Sequence, residues 1–457
     1  MLKRTPLLAL LVALLAPPCA AQNPTAPPAA SPPAGPRQTQ ADDFTSYELL
    51  APESHRFRIL YDVTATTSGA RFYFNTIRKG SVATDERVVD LATGQPLEWD
   101  VVSGAQARAE GHPDAALDTD YIKVRLARPV PENGEQRIRI DKTYLDAQSY
   151  APDDGGLVFR RSLGIKRNRI VLPAGYELVE SNMPSQIFTM DDGRIALSFM
   201  NTNPDAVSLV VRATRLAGGE KGATRPDRTG SRGAGASPDS TDPPSRRAGA
   251  SAPASVPAAA NPILAASASA RIGERAVQDR EIVYFLQPPE THAFDLFHDY
   301  TESRPGTDRY LNIVRAGSRV SNPAAHALDT GEALAVETLR GEAITKTGID
   351  IGEPVTDGSE VVVVRFPAVK AGTSVRLRIS ETYTDPDRYG LVGETLVWRR
   401  SFGRPRNTMV LPAGWYVTAV SVPATVVREP DGRVRLDFHN ARPDTLDVLV
   451  RANRRSP

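Results

Sequence analysis

The sequence predicts an all-β protein made of two tandem homologous antiparallel β-sandwich domains joined by a long disordered linker. Three observations carry this prediction. The second half of the chain repeats the first over the length of a whole domain. Each copy contains many short segments in which polar and apolar residues alternate, which is typical of half-buried strands. Between the copies lies a stretch that is poor in large apolar side chains, and such a stretch cannot bury enough surface to fold.

The repeat is gapless over its second part. Residues Arg137 to Arg215 align onto Arg376 to Arg454 at a spacing of 239 positions (376 − 137). Upstream, Tyr47 to Gly94 match Tyr284 to Gly331 at a spacing of 237 (284 − 47), so one small length change separates the copies. A solenoid unit has roughly 20 to 50 residues. Each copy is longer than that, and it is therefore predicted to be a domain.

The first 21 residues have the pattern of a secretory signal peptide. Lys3 and Arg4 precede an apolar run that is too short to cross a bilayer, and small residues around Ala21 favour cleavage there. The protein is therefore predicted to be exported, to the periplasm or the cell exterior. The alternative is a lipid anchor on Cys19, the only cysteine, but two prolines directly before it argue against that. No later segment is predicted to span a membrane.

Composition divides the mature chain into four parts. Residues 22–44 are rich in Pro, Ala, Gln and Ser and are predicted to be a solvated tether. Residues 45–215 form the first predicted sandwich, and residues 280–455 form the second. Residues 216–279 contain mainly Gly, Ala, Ser, Pro and Arg and are predicted to be the disordered linker.

Strand and turn patterns support the sandwich in both copies. Alternation is clearest in segments 56–63, 121–126 and 136–141 of the first copy and in 375–380 and 433–438 of the second. Gly, Pro and Asp clusters separate such segments and indicate turns. Many short strands with regular turn signals are typical of an antiparallel sandwich. In fold alone, a β-rich region of this size resembles the non-catalytic sandwich of some secreted peptidases, and no motif accompanies that resemblance.

Repeated arginines are the strongest candidate for a binding site. A guanidinium grips carboxylate and phosphate groups through two hydrogen bonds, so an anionic partner is the functional interpretation. One structural alternative is that the arginines cover the outer sheet face and pair with carboxylates such as Asp146 and Asp385. Another is that one of each adjacent pair is buried in a salt bridge. The candidate residues are Arg160, Arg161, Arg167 and Asn168 in the first copy and Arg399, Arg400, Arg406 and Asn407 in the second.

A tyrosine beside a carboxylate also recurs. Tyr144 and Asp146 return as Tyr383 and Asp385. Such a pair could contact a glycan. The alternative is a strand end at which tyrosine hydroxyls bond backbone groups near a turn, as at the corners of sandwiches.

Charge and motifs exclude several classes of function. The net charge is +1, so no global field favours nucleic acid. His292 and His298 lie about 20 Å apart on an extended strand, which is too far for one metal ion. No metal or cofactor is predicted, because the known nucleophile, zinc and phosphate-loop motifs do not occur.

The sequence favours a non-enzymatic binding or structural module of the cell envelope. The expected partner is a cell-envelope polymer or another exported protein, because duplication on a flexible linker supplies avidity. The alternative is a periplasmic enzyme, such as a glycan hydrolase that uses paired carboxylates.

Overall fold

The computed structural model describes residues 36–217, 281–441 and 444–455. The predicted signal peptide, most of the predicted tether and nearly all of the predicted linker lie outside these ranges. Within them the chain forms 26 strands, two helices of six residues and two short 3₁₀ turns, which confirms the all-β prediction. No helix in the described ranges is long and apolar enough to cross a membrane.

The first copy has thirteen strands and one helix. They are β1 (Gln40–Leu49), β2 (Arg56–Ala65), β3 (Phe72–Thr76), β4 (Val82–Asp90), β5 (Trp99–Ser103), α1 (Gly104–Ala109), β6 (Asp120–Arg125), β7 (Gln136–Leu145), β8 (Tyr150–Asp153), β9 (Gly156–Leu163), β10 (Arg167–Val171), β11 (Tyr176–Thr189), β12 (Ile195–Met200) and β13 (Val207–Arg215).

The second copy repeats this series. Its elements are β14 (Glu281–Leu286), β15 (Ala293–Glu302), β16 (Arg309–Val314), β17 (Arg319–Ala327), β18 (Ala335–Arg340), α2 (Glu342–Thr347), β19 (Glu360–Arg365), β20 (Val375–Thr384), β21 (Tyr389–Val392), β22 (Thr395–Phe402), β23 (Arg406–Val410), β24 (Trp415–Arg428), β25 (Val434–His439) and β26 (Leu446–Arg454).

Strand pairing is the same in both copies. The first copy has the order β4-β7-β2-β1-β10-β12-β11-β13-β9-β8, and the second has β17-β20-β15-β14-β23-β25-β24-β26-β22-β21. A separate small sheet, β3-β6-β5 or β16-β19-β18, accompanies each. The pairings between these strands are antiparallel, except that β1 runs parallel to β10 and β14 runs parallel to β23. The repeat therefore extends from sequence to strand order.

Alternation along each strand builds the core. On β2, Phe57, Ile59, Tyr61 and Val63 are buried, and the residues between them are partly exposed. Successive side chains of a strand point to opposite faces, so one face of β2 enters the core. Aromatic rings meet there; the centroids of Phe57 and Phe159 are 5.3 Å apart at an interplanar angle of 81°, an edge-to-face contact.

The first strand begins at Gln40, earlier than the predicted domain start at residue 45. Polar side chains hold this end of the chain. The amide of Gln38 bonds the backbone of Phe74 in both directions, at 2.8 and 3.0 Å, and Gln40 donates to the hydroxyl of Tyr61 at 3.0 Å. The predicted tether is polar and Pro-rich, and composition alone does not reveal these long-range bonds.

The two copies contact each other through their longest strands, β11 and β24. These strands pair antiparallel, with Ser181 opposite Val426 and Ile187 opposite Val420. At the repeat spacing of 239, Ser181 is equivalent to Val420 and Ile187 to Val426 (181 + 239, 187 + 239). The same segment of each copy therefore meets its counterpart, as in the interface of a two-fold symmetric dimer.

Candidate binding cavities

A buried ion pair lies at the centre of the first copy. On β9 the side chains alternate, so Arg160 is exposed and Arg161 points inward. The Nη1 atom of Arg161 lies 3.2 Å from Oδ2 of Asp146, and the two side chains are 7% and 5% exposed. The guanidinium carbon lies 5.3 to 5.6 Å from three ring centroids, those of Tyr47, Phe57 and Tyr144. A cation at this range is attracted by the ring faces.

Hydrogen bonds satisfy the carboxylate of this pair. Asp146 accepts from the backbone N–H of Ser149 at 2.9 Å, from its hydroxyl at 2.7 Å and from the hydroxyl of Ser81 at 3.0 Å. Burial opposes ionisation, but the bonds from Ser149 and Ser81 and the charge of Arg161 lower the pKa of Asp146 below its ordinary value. The pair therefore stays charged at neutral pH.

The second copy contains the same arrangement. The Nη1 atom of Arg400 lies 3.4 Å from Oδ2 of Asp385, which also accepts from the hydroxyl of Ser318 at 3.0 Å and from Arg388 at 3.2 Å. The rings around Arg400 are those of Tyr284, Phe294 and Tyr383. For Arg161 and Arg400, the geometry is the buried salt bridge that the sequence left open as one structural alternative.

A cavity of about 750 Å³ opens above the Arg161 pair. Its described lining includes four cations, and no Asp or Glu is among the described residues that line it. The cations are Arg78, Lys79, Lys142 and Arg161. This wall is therefore strongly biased toward positive charge.

Lys142 is the most unusual member of this wall. It is only 4% exposed, its Nζ lies 2.5 Å from Oδ1 of Asn75, and the same Nζ lies 4.9 Å from the ring centroid of Tyr144. Burial first, and then the charge of Arg161, lower the pKa of Lys142 to about 7, with Glu86 opposing the shift. The ammonium group thus gains or loses its proton near neutral pH.

Tyrosine hydroxyls complete the cavity wall. Tyr73 donates to Oε1 of Gln40 at 2.6 Å, and the Gln40 amide donates to Tyr61 at 3.0 Å. The hydroxyls of Tyr61 and Tyr73 are 3.2 Å apart. Burial raises the pKa of Tyr61 to about 12 and raises that of Tyr73 well above its ordinary value, so both remain neutral. Because Tyr73 donates its proton to Gln40, the bond between the two hydroxyls takes the proton of Tyr61.

The equivalent cavity in the second copy is smaller and carries a different charge. Its volume is about 210 Å³, and Glu381 stands in the position of Lys142 (142 + 239). The Nδ2 atom of Asn312 lies 3.0 and 2.7 Å from the two oxygens of Glu381, whereas Asn75 presents its carbonyl oxygen to Lys142. Burial raises the pKa of Glu381 to about 7, although the bond from Asn312 and the charge of Arg404 oppose it. The equivalent asparagines, Asn75 and Asn312, thus bond side chains of opposite charge, because one presents its amide oxygen and the other its amide nitrogen.

Of the other predicted site residues, Asn407 alone is among the described residues that line one of these two cavities. Arg167 donates to the backbone carbonyls of Asp42 and Asp43, and Arg406 lies 3.7 Å from Glu281. Asn168 and Asn407 donate to the carbonyls of Ile165 and Arg404 and brace the turns before β10 and β23. Arg160 and Arg399 are exposed, on the strand faces opposite to those that carry Arg161 and Arg400. The structure thus brings together Tyr144, Asp146 and Arg161, with Tyr383, Asp385 and Arg400, and leaves the rest outside this group.

Two pairs of tyrosines repeat here, Tyr144 with Tyr383 and Tyr150 with Tyr389, and they bear on both the glycan-contact and the strand-end interpretation. Tyr144 and Tyr383 line the cavities. Tyr150 and Tyr389 donate their hydroxyl protons to the backbone carbonyls of Leu50 and Gln287. Hydroxyl-to-backbone bonds of this kind match the strand-end alternative, and Tyr144 makes one too, because its hydroxyl accepts from the backbone N–H of Arg78 at 3.2 Å.

Sequence reasoning missed Lys142 and Glu381, although a signal was present. On β7, Lys142 is in phase with Ile138 and Ile140, which point into the core; on β20, Glu381 is in phase with Leu377 and Ile379. A charge on the apolar face, with opposite signs in two aligned copies, marks a position where a polar cavity reaches the core.

No group of three potential metal ligands occurs among the residues that the structure describes. A larger cavity, of about 990 Å³, is lined mainly by the second copy, including Phe285, Phe297 and Arg406, with Pro184 of the first copy also on its wall. It does not include the buried ion pair.

Comparisons with known proteins do not identify a family. No protein-family profile matches the chain, and no curated protein matches it. Among solved structures, an M1 zinc metallopeptidase from Deinococcus radiodurans is 15% identical over 37% of this chain and 41% of that one, with a TM-score of 0.25. An aminopeptidase N family protein from Idiomarina loihiensis is 9% identical over 37% of this chain and 29% of that one, with a TM-score of 0.24. The chain spans less than half the length of either structure, and similarity at this level assigns neither fold family nor activity.

Proposed function

We propose that this protein is an exported, non-enzymatic binding module of the cell envelope, with two similar β-sandwich domains on a disordered linker at 216–279. The observation that supports it is a cavity at the same place in both copies, each above a buried Arg–Asp pair in an aromatic cage. Packed side chains and paired charges hold such a cavity in shape before a ligand arrives, and preorganisation of this kind favours binding.

The ligand that fits this arrangement best is a cell-envelope polymer. Two cavities in one chain can engage two units of a repeating ligand. Joint binding then exceeds the affinity of one site by about 10²- to 10⁴-fold. Another exported protein is the second partner class, and retention on polymers free of protein distinguishes the two.

Co-sedimentation tests the proposal. The protein is mixed with insoluble cell-wall and polysaccharide preparations, and its depletion from the supernatant is measured. We expect retention of the wild type and its loss when both cavities are filled by Asn75→Trp with Asn312→Trp. The exposed Lys370→Trp is the matched control and should be retained. Failure of the wild type to bind any preparation would contradict the proposal.

Limited proteolysis tests the domain organisation. We expect the first cuts within 216–279 and two resistant fragments of similar size. Because β11 pairs with β24, the fragments should still elute together in size-exclusion chromatography after the cut. Early cleavage inside Arg137 to Arg215, with 216–279 intact, would contradict the proposed boundaries.

One observation favours the enzyme alternative enough to test it. Glu381 is buried in a cavity with a pKa raised to about 7, and the negative charge of Glu360 contributes to that shift. A carboxyl group of this kind suits a general acid, and a glycan hydrolase needs a second carboxylate nearby. We expect no soluble sugar to be released from the same preparations. Release that Glu381→Gln abolishes would establish the enzyme instead.

A further inference from the structure

We propose that the cavity of the first copy binds the oxyanion of a sugar-sized ligand, a carboxylate or a tetrahedral sulfate or phosphate group, through the ammonium group of Lys142. This inference deepens the proposed function and rests on it. It assigns the anion to the first copy and not to the second.

The charge of the cavity points to this ligand. Of its four cations, Arg161 is neutralised by Asp146 and Lys79 is paired with Asp118. Lys142 and Arg78 have no carboxylate within 4.0 Å among the described residues. An ammonium group removed from water without a counter-ion is costly, and a bound anion would offset that cost.

Hydrogen-bond geometry supports the same conclusion. An ammonium group has three N–H donors, and the structure records one hydrogen bond from Lys142, to Asn75. The remaining donors lie in the cavity that Lys142 lines. At the mouth, the exposed Arg78 makes only a long bond of 3.4 Å to the carbonyl of Ser162, so its guanidinium can turn toward a ligand. An oxyanion accepts from both of these cationic groups.

The second copy serves as an internal comparison. There Glu381 replaces Lys142 beside the equivalent asparagine, and the cavity is less than a third as large. A carboxylate at this position repels an anion when it is ionised. Three arginines, Arg315, Arg400 and Arg404, also line the second cavity, so it combines both signs of charge, whereas the described lining of the first presents cations alone.

Protonation of Lys142 should control the affinity. The charged and titratable groups around it are Tyr47 from β1, Tyr61 from β2, Tyr73 from β3, Glu86 from β4, Tyr144 from β7, Arg161 from β9, and Arg78, Lys79 and His112 from the mouth. Burial raises the pKa values of these four tyrosines and lowers that of His112. Lys142 is thus the group whose charge changes most between pH 6.5 and 8.5, as its pKa is about 7.

The test is calorimetric titration of the full-length protein with sodium glucuronate and with sodium sulfate, whose charges are constant between pH 6.5 and 8.5. We expect one of these probes to bind at a single site. Its affinity should fall by roughly 25-fold from pH 6.5 to pH 8.5, because the protonated fraction of a group with a pKa of about 7 falls by that factor. Glucuronate alone indicates a carboxylate ligand, and sulfate indicates a tetrahedral one.

Variants locate the site. Lys142→Gln keeps a donor for Asn75 and should weaken binding at pH 6.5 at least tenfold, and Lys142→Glu, which copies the second repeat, should abolish it. The exposed Lys370→Gln should bind as the wild type does. If Lys142→Gln proves unstable, the pH dependence of the wild type decides alone. Binding that ignores both pH and Lys142, or no binding of either probe, overturns the inference; retention on envelope polymers in that case leaves the proposed function standing.

Discussion

Replacing Arg161 by alanine is expected to destabilise the protein by about 3 to 5 kcal/mol, whereas Arg160→Ala on the same strand should change stability by only about 0 to 1 kcal/mol. Arg161 is buried against Asp146 and three aromatic rings, and its removal leaves a buried carboxylate without its cation. Arg160 is exposed. Urea denaturation of the two variants, monitored by circular dichroism, gives the comparison directly.

The effect of the two charges on stability can be separated from the effect of burying the two side chains. Arg161→Met with Asp146→Asn removes both charges, and replacing a buried pair by groups of similar volume is often close to neutral. The double variant should therefore be more stable than Arg161→Ala. Arg400→Ala and Arg399→Ala repeat the contrast in the second copy. If Arg161→Ala loses affinity for an anionic polymer while its melting temperature stays unchanged, the buried-pair account is wrong and Arg161 is a contact residue.

Replacing Lys142 by methionine is expected to raise stability at pH 7 and to remove part of its pH dependence. The pKa of Lys142 is about 7 in the folded protein and about 10.4 in an unfolded chain. Between these values the unfolded state binds more protons, so stability rises with pH, by up to about 1.4 kcal/mol per pH unit. This contribution is present above the unfolded pKa and is lost as the pH falls through the folded one.

Denaturation of the wild type and Lys142→Met from about pH 4.5 to 9.5 measures the difference. The gain from the substitution should be largest at pH 7 and below and should shrink as the pH rises. Glu381→Gln gives the reverse test, because the folded pKa of Glu381 is raised to about 7. The carboxyl group of Glu381 stabilises the folded state below its unfolded pKa, and this contribution is lost as the pH rises through about 7. The stability gained by Glu381→Gln should therefore grow as the pH rises from the unfolded pKa to about 7. Parallel pH profiles for all three proteins would contradict the burial of both groups.

Much of the fold was predictable because alternation is a local property. The phase of Phe57, Ile59 and Tyr61 on β2 follows from the two-residue period of a strand. The parallel pairing of β1 with β10 was not predictable, since it joins segments more than a hundred residues apart and no local pattern encodes it. The pairing of β11 with β24 was likewise hidden, because it depends on how two complete copies meet.

The candidate site was predictable only in part. Adjacent Arg160 and Arg161 must face opposite ways on a strand, which made a buried arginine one of the alternatives. Which of them is buried depends on the phase of β9 against the core. Lys142 was within reach, since it shares the apolar phase of β7, but its role depends on Asn75 from β3 and on the space around both. Contacts across strands that are distant in sequence set these features.

The most direct test of the central claim, a buried cation in an anion-accepting cavity, is an NMR titration of the Lys142 side chain with and without glucuronate. The account predicts a pKa of about 7 for the free protein and a higher value in the presence of the anion, because a bound negative charge favours the ammonium form. Lys142→Gln identifies the resonance by its disappearance. A pKa near 10.4 in both conditions, the value of a lysine in water, would contradict it.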